Sequence, residues 1–555
     1  MNIKFLGAAM SVTGSCHYIT TKNYKFLLDC GQFQGSKSME KLNYNDFGFD
    51  PAEIDFMILS HAHIDHSGRI PLLTKRGFKG KIYCTNATAD LAGIMLEDSG
   101  YIHEKEAEWR SKKALRQGKS AAEPLFTFND AVESLQYLNP VLYDQFIDIN
   151  QDVKVRFRDA GHILGSAIVE LWIHEGENVS KLVFTGDLGM KNRPILRDPT
   201  IIEEADCLIM ETTYGDRNHE PIQESFDRFM QIIHKTVDRG GTVVVPSFAV
   251  GRTQELIYHL NRCYDGNEAC RRSLKDVMVY IDSPLATSAT EIFRRNAQDF
   301  NDETRDYILK GDNPLDFKNL KFTRSTDESK QLNLISDPKI IISASGMCDA
   351  GRILHHLKHN LWNPKSSVII VGYQAEGTLG RALVNGEKDV HIFDEKIHVG
   401  AEIHSLEGFS GHADRDGLFE WLSNFKKLPH QIFLVHGEEK AKRAFAELVK
   451  QRMKYDCTVV EDVSEYNLDA DVRISVDNIK NRVATGAQMI KVKDKLAKVY
   501  EEFEDIVQNT NYAVEQGISS EQFNEITNTI LEIEKSTIRL GTLVTKEASN
   551  TVEMP

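Results

Sequence analysis

No stretch of this sequence reaches the roughly 18 consecutive apolar residues that a membrane-spanning helix needs. The N-terminus opens directly on the strand-like run Asn2–Leu6. A basic stretch followed by an apolar core is missing there, so no signal peptide is expected. Cysteine is scarce: eight in 555 residues, at positions 16, 30, 84, 207, 263, 270, 348 and 457, none of them in a C-x-x-C pair. That argues against a disulfide framework and predicts reduced thiols in a cytosolic protein. Positive charge is outnumbered, with 66 Lys and Arg against 82 Asp and Glu, a formal net charge of −16. Such a balance argues against a surface built to coat polyanions. It leaves room for an enzyme acting on nucleic acid, because bound metal ions and a few local arginines suffice to hold a phosphate. Internal repeats and low-complexity tracts are also missing.

What is present is an ordinary globular composition, 41% hydrophobic and 27% charged, long enough for two to four domains. Four regions are distinguished. Residues 1–210 alternate short β-rich runs with turns and hold most of the histidines. The runs "YKFLLDCG", "FMILSHAH" and "KLVFTGD" each end in polar residues, as strands do when they deliver ligands at their C-terminal ends. Residues 211–395 alternate helix and strand, which predicts an α/β domain. Residues 396–462 return to the first style, so the first domain is read as interrupted by the second. From 463 to 555 the pattern is helical: Met489, Val492, Leu496, Val499, Phe503 and Ile506 step by three and four, as do Phe523, Ile526, Ile530 and Ile533. Gly517 separates the two runs, and Ser519 with Gln522 fits a capping box, so a helical hairpin is predicted. It packs on its own chain or forms the seam of a homo-oligomer.

The strongest local signal is "SHAHIDHSG", which places His61, His63, Asp65 and His66 within six residues after the strand-like Phe56–Ser60. An extended backbone puts His61 and His63 on one side, and Asp65 and His66 follow as the chain turns into a helix. Four donors so close together can serve two adjacent metals but cannot complete both shells, because catalytic zinc takes about three protein ligands and an open position. Further donors stand where strands end: His162 in "DAGHILGS", Asp187 in "VFTGDLG", a natural bridging carboxylate, and His436 in "FLVHGEE". Two metals roughly 3.5–4 Å apart would hold a water between them and lower its pKa.

These motifs, in this order, resemble the metallo-β-lactamase superfamily. The resemblance implies an αββα sandwich with a site for two Zn²⁺ at one edge. One zinc would be held by His61, His63 and His162, the other by Asp65, His66 and His436, with Asp187 bridging. Asp65 is counted among the catalytic residues as well, and Asp29 in "LLDCG" matches a buried aspartate that supports the ligands. The further motifs "METTYGDR", "PSFAVGRTQELIYHL", "SASGMCDAGRILHHL" and "FSGHADRDGL" resemble the β-CASP branch, whose members process nucleic acids. The branch's three extra motifs map onto Glu211, His412 and His436, and a histidine at the last position accompanies RNA rather than DNA. Ala350 stands where many relatives have glycine.

The implied enzyme is a ribonuclease, endo, 5′→3′ exo or both, that takes single-stranded RNA and leaves 5′-phosphate and 3′-hydroxyl ends. In-line attack on phosphorus produces an alkoxide that needs a proton, and His412 oriented by Glu211 fits that acid. "SFAVGRTQ" and "ISASGMCDAGRILHH" each read as a strand, a glycine loop and a helix, which nominates Arg252, Ser345, Gly346, Arg352 and His355 as phosphate contacts. Two other readings use the same core. A hydrolase of small thioesters or lactones would not need the long insert, and a non-catalytic scaffold subunit would be expected to have lost ligands.

Overall fold

Short runs of Val, Ile, Leu and Phe form the strands, and their burial pattern sorts them into sheets. Asn2–Gly7 alternates half-buried and buried residues, as a strand with one face in a core does. Thr242–Pro246 and Lys339–Ser343 are buried at every position, as strands covered on both faces are. The computed structural model describes residues 1–468 apart from 10, 117, 119, 267–274, 276 and 462. The expected helical hairpin, and the self-association assigned to it, lie outside the described residues.

Two seven-stranded sheets form the first domain. The first runs in the order Glu465–Asn467, Asn2–Gly7, Cys16–Thr20, Lys25–Leu28, Phe56–Ile58, Lys81–Thr85, Leu138–Val141. The second runs Thr458–Val459, Gln431–Val435, Cys207–Glu211, Asn178–Phe184, Ala167–Glu175, Val153–Asp159, Ile147–Asp148. Each sheet is half antiparallel and half parallel. Phe5, Phe26 and Ile58 of the first meet Phe157, Leu171, Phe184 and Phe433 of the second in one apolar layer. Helices cover the outer faces. Arg415–Leu422 and Glu439–Met453 pack Leu418, Trp421, Phe445 and Val449 on the second sheet. Leu73, Leu91 and Leu96 pack on the first beside Leu27 and Ile82. The result is the αββα sandwich that the resemblance implies.

The inserted domain carries a six-stranded parallel sheet, ordered Leu320–Phe322, Met278–Ile281, Lys339–Ser343, Thr242–Pro246, Ser367–Ile370, Glu402–Ser405. Helices flank both of its faces, and its core is continuous with that of the first domain through residues such as Met95 and Phe293. Two edges fall elsewhere than the sequence suggests. Glu402–Ser405 is still a strand of the inserted sheet, beyond 395, and Glu465–Asn467 still belongs to the first sheet, beyond 462. Their sequences, "EIHS" and "EYN", are short, polar edge strands with little apolar signal to read. Among the described residues six cysteines are free, whereas Cys263 is disulfide-bonded, a departure from the all-thiol expectation that its spacing gave no reason to foresee.

The loops at the sandwich edge touch backbone to backbone. A Cβ on Gly189 would lie 1.8 Å from the carbonyl oxygen of Gly161. Only glycine lets these two loops meet. Gly189→Ala is therefore expected to destabilise the protein by about 1–3 kcal/mol, read as a lowered midpoint in calorimetry; an unchanged midpoint would mean the loops separate freely.

Candidate metal centre

Each functional side chain stands where a strand has run out of apolar residues. His61 and His63 follow Phe56–Ile58 on extended chain, and the helical turn Ile64–Ser67 carries Asp65 and His66. His162 lies in the loop after Val153–Asp159, Asp187 after Asn178–Phe184, and His436 directly after Gln431–Val435, in a left-handed conformation with φ of 48°. Glu211 ends the strand Cys207–Glu211. The strands before His61, Asp187 and His436 have parallel neighbours, so their C-terminal ends lie beside those of adjacent strands, while Val153–Asp159, before His162, lies in the antiparallel half of its sheet.

The side chains converge in two groups. His61, His63, His162 and Asp187 form one, and Asp65, His66 and His436 the other, with donor atoms inside each group within 4.8 Å of one another. In the first, His63 Nδ1 is 3.2 Å from His61 Nε2 and 3.1 Å from His162 Nε2. In the second, His66 Nε2 and His436 Nε2 are 3.0 Å apart. Asp187 touches both: its Oδ2 lies 3.5 Å from His61 Nε2, 3.6 Å from His162 Nε2 and 3.3 Å from His66 Nε2. Three imidazole nitrogens aimed at one point cannot all be satisfied by protons. Asp187 Oδ1 is moreover buried without a hydrogen-bond partner. A cation at each convergence resolves both problems, and imidazole nitrogen with carboxylate oxygen is a donor set that zinc accepts. Burial holds the pKa of His63 down to about 4, against the pull of Asp65 and Asp187, and depresses His61 and His162 well below the ordinary value. The three rings are neutral, the form that binds metal.

A ring of partners aims these donors. Asp29 is fully buried and accepts from Ser60 N at 2.8 Å, Ser60 Oγ at 2.9 Å and Ser15 Oγ at 3.2 Å. Its Oδ2 takes the Nδ1 proton of His66 at 2.7 Å, so His66 Nε2 faces the group. Ser60 Oγ meets His61 Nδ1 at 3.0 Å, and Thr213 Oγ1 meets His436 Nδ1 at 3.1 Å. Gly31 permits the close pass of the Asp29 segment: a Cβ there would stand 1.6 Å from the carbonyl oxygen of Asp65.

His412 lies beside the first group. Its Nδ1 is 3.1 Å from Glu211 Oε1 and 3.9 Å from Asp187 Oδ2. Glu211 is buried and fixed by the backbone N–H groups of Leu188 at 2.8 Å and Thr213 at 3.0 Å. Burial works against charge on His412, but Glu211, Asp187 and Asp65 outweigh it and raise its pKa to about 9. Cations in the adjacent groups would offset Asp187 and Asp65 and draw that value down toward neutrality.

A cavity of about 200 Å³ opens over these residues, lined by His63, Asp65, His162, Asp187, His412 and His436 and walled by Phe248, Met347 and Tyr373 from the inserted domain. Of the predicted phosphate contacts, Arg252 lines it. The others lie back from it. Arg352 gives Nη1 to Asp282 at 2.6 Å and Nη2 to the Arg324 carbonyl at 2.9 Å. His355 is exposed and leans on Phe393, with ring centroids 4.6 Å apart. Ser345 Oγ accepts from Asp349 N at 2.9 Å, and the Gly346 backbone packs against the Phe248 ring. Sequence reasoning missed Arg193, Phe248 and Tyr373. Phe248 and Tyr373 lie two and three residues after the buried strands Thr242–Pro246 and Ser367–Ile370, a position that could have flagged them.

The chain matches three family descriptions: "Metallo-beta-lactamase superfamily" over residues 11–240, "Beta-Casp domain" over 253–383 and "Zn-dependent metallo-hydrolase RNA specificity domain" over 396–460. It is 38% identical over 452 residues to Ribonuclease TTHA0252 of Thermus thermophilus, covering 81% of this chain and 96% of that protein. The chain belongs to the β-CASP branch of the metallo-β-lactamase superfamily, a family of RNA nucleases. Other β-CASP relatives include an RNase J-like protein of Methanocaldococcus jannaschii, 33% identical over 81% of this chain and 96% of the relative. Transcription termination factor FttA of the same organism is 33% identical over 85% of this chain and 71% of that protein. As a β-CASP protein the chain is a metal-dependent hydrolase acting on RNA. Replacing the supporting carboxylate, Asp29→Ala, should weaken metal binding about 10–100-fold in chelator competition while the fold survives; unchanged affinity would show that His66 needs no such support.

Proposed function

We propose that this β-CASP protein is a zinc-dependent ribonuclease that binds two Zn²⁺ and cuts single-stranded RNA to leave 5′-phosphate and 3′-hydroxyl ends. The observation that carries the reading is the His412–Glu211 pair, set against two groups of metal donors that share Asp187. His61, His63 and His162 would hold one ion, Asp65, His66 and His436 the other, and Asp187 both. When bound, the ions supply Lewis-acid charge at the phosphoryl oxygens and acidify a water. The chain's own residues supply the rest. Glu211 accepts from His412 Nδ1, which leaves His412 Nε2 to carry a proton toward the cavity. That proton passes to the departing 3′ oxygen, which would otherwise leave as an alkoxide.

Charge in the cavity wall favours a phosphate. Arg193 Nη1 pairs with Glu255 Oε1 at 3.1 Å, and Arg252 pairs with the other oxygen of the same carboxylate. Two guanidinium groups share one carboxylate, so one positive charge is in excess where Arg252 lines the cavity, and Arg252 Nε lacks a hydrogen-bond partner. Ser345 and Gly346 would shape the loop that faces Phe248. Arg352 would hold that loop through Asp282, and His355 would meet RNA farther from the cut.

Three expectations test this reading. Metal analysis of purified protein should find close to two zinc per chain, and Asp187→Ala should abolish RNA cleavage with the fold intact. Near-normal turnover in that variant would remove Asp187 as the bridge. His412→Ala should keep its zinc and RNA affinity yet lose about 10²–10⁴-fold in cleavage rate. A nitrophenyl phosphodiester, whose leaving group needs little protonation, should be far less affected. Equal loss on both substrates would mean His412 serves the metals or the fold.

A further inference from the structure

One long helix, Asn86–Arg116, passes the cavity about a third of the way along and ends in solvent. Met95 near its start lines the cavity, and Trp109, Lys112, Lys113 and Arg116 near its end are exposed. Met95, Asp98, Ile102, Lys105, Trp109, Lys112 and Arg116 step by three and four, so the face that leaves the cavity is the face that carries the distal residues. Tyr101, Lys105, Trp109, Lys112, Lys113 and Arg116 occupy about 120° of the helix circumference. The opposite side is occupied by the protein itself: Ala107 is buried, His103 meets Gln32 at 2.6 Å and Ser111 bonds Ala122.

That outer face combines exposed aromatic rings with cations. Tyr101 is 53% and Trp109 56% exposed, so each ring offers about half of its surface to a ligand. Cations flank both rings: Lys105 Nζ lies 5.6 Å from the Tyr101 ring and Lys113 Nζ 5.4 Å from the Trp109 ring. From Trp109 to Arg116, "WRSKKALR", there are four basic residues and no acidic one, in a protein whose net charge is −16. Two nearby acids are engaged, Glu108 by Lys105 and Glu106 by Arg110, and Asp98 lies on the same face nearer the cavity. Lys112, Lys113 and Arg116 make no ion pair among the described residues. Flat aromatic faces alternating with free cations match a single strand of nucleic acid, whose bases stack and whose phosphates pair.

We propose that the outer face of this helix is an RNA-binding track that holds a substrate strand running out of the cavity, with a base stacked on Trp109 and phosphates on Lys112, Lys113 and Arg116. The inference rests on the ribonuclease reading for its ligand. Met95 and Trp109 are separated by about 21 Å along the helix, so the track serves RNAs of several nucleotides beyond the cut and not short ones. A protein partner is the other occupant such a surface could take.

The test uses the full-length metal-loaded protein, a series of single-stranded RNAs of increasing length, and the variants Trp109→Ala and Lys112→Glu with Lys113→Glu. These side chains are exposed, so the variants should fold. In the wild type KM should fall once the RNA is long enough to reach the track; in either variant that fall should shrink by roughly tenfold. The double variant should also flatten the salt dependence of RNA binding, by about 0.7 in log–log slope for each phosphate it no longer holds. Ultraviolet crosslinking of catalytically dead protein should place RNA on the peptide containing Trp109. If the wild type cuts RNA but the length dependence, salt slope and crosslinks are the same in the variants, the track is refuted and the ribonuclease reading stands. If the wild type binds and crosslinks at Trp109 without cutting, the ribonuclease reading fails and the track survives. No crosslink and no RNA binding at all would overturn both and leave the surface to a protein partner.

Discussion

Lone pairs that face one another at about hydrogen-bond distance repel unless something positive sits among them, and this constraint organises the molecule. Protons could relieve one contact at a time, but His63 faces two rings at once and Asp187 faces both groups. A protein gains nothing by burying such an arrangement for its own sake, since each desolvated donor costs free energy. The arrangement makes sense only as a cradle for cations. Everything around it serves to hold the cradle open against collapse.

That service is visible in the packing. Parallel strands set several chain turns at one edge of the sandwich, and glycines let those turns touch without side chains between them. Asp29 spends its lone pairs on two serines, one backbone amide and one imidazole, so His66 has a single orientation. Beneath, His17 is buried between Phe5 and Phe184 with neither ring nitrogen paired. Burial, the largest effect, and the neighbouring imidazoles of His66 and His436 hold its pKa down to about 3. It behaves as a neutral aromatic filler, not as another donor. The six-stranded sheet uses the same economy: Asp282 gathers Arg352, His356, Ser329 and Thr323 at one strand end and ties the neighbouring loop to the sheet.

The donors were readable in the sequence because each is a polar residue terminating an apolar run, a pattern that burial and strand geometry impose together. The two sandwich sheets were readable for the same reason. Glu211 and His412 were not readable from spacing, since they lie 201 positions apart and meet only through tertiary structure; the family motifs supplied them. Arg352 shows the converse limit. Its place after a glycine loop suggests a phosphate ligand, but a buried aspartate from a distant strand claims its guanidinium, and nothing local announces that. Edge strands such as Glu465–Asn467 escape notice because backbone pairing, not side-chain burial, defines them.

The order of segments along the chain also sets an order in time. The donors of the proposed second metal group are split between residues 65–66 and residue 436, with the whole inserted domain synthesised between them. A growing chain therefore carries half of that group long before it carries the other half. Until the strand Gln431–Val435 emerges and adds itself beside Cys207–Glu211, the cradle has one wall missing. The first donor group is complete in the chain by residue 187, whereas the second waits for residue 436. Insertion of one domain into another thus acts as a clock that assembles the second donor group only after both domains have been made.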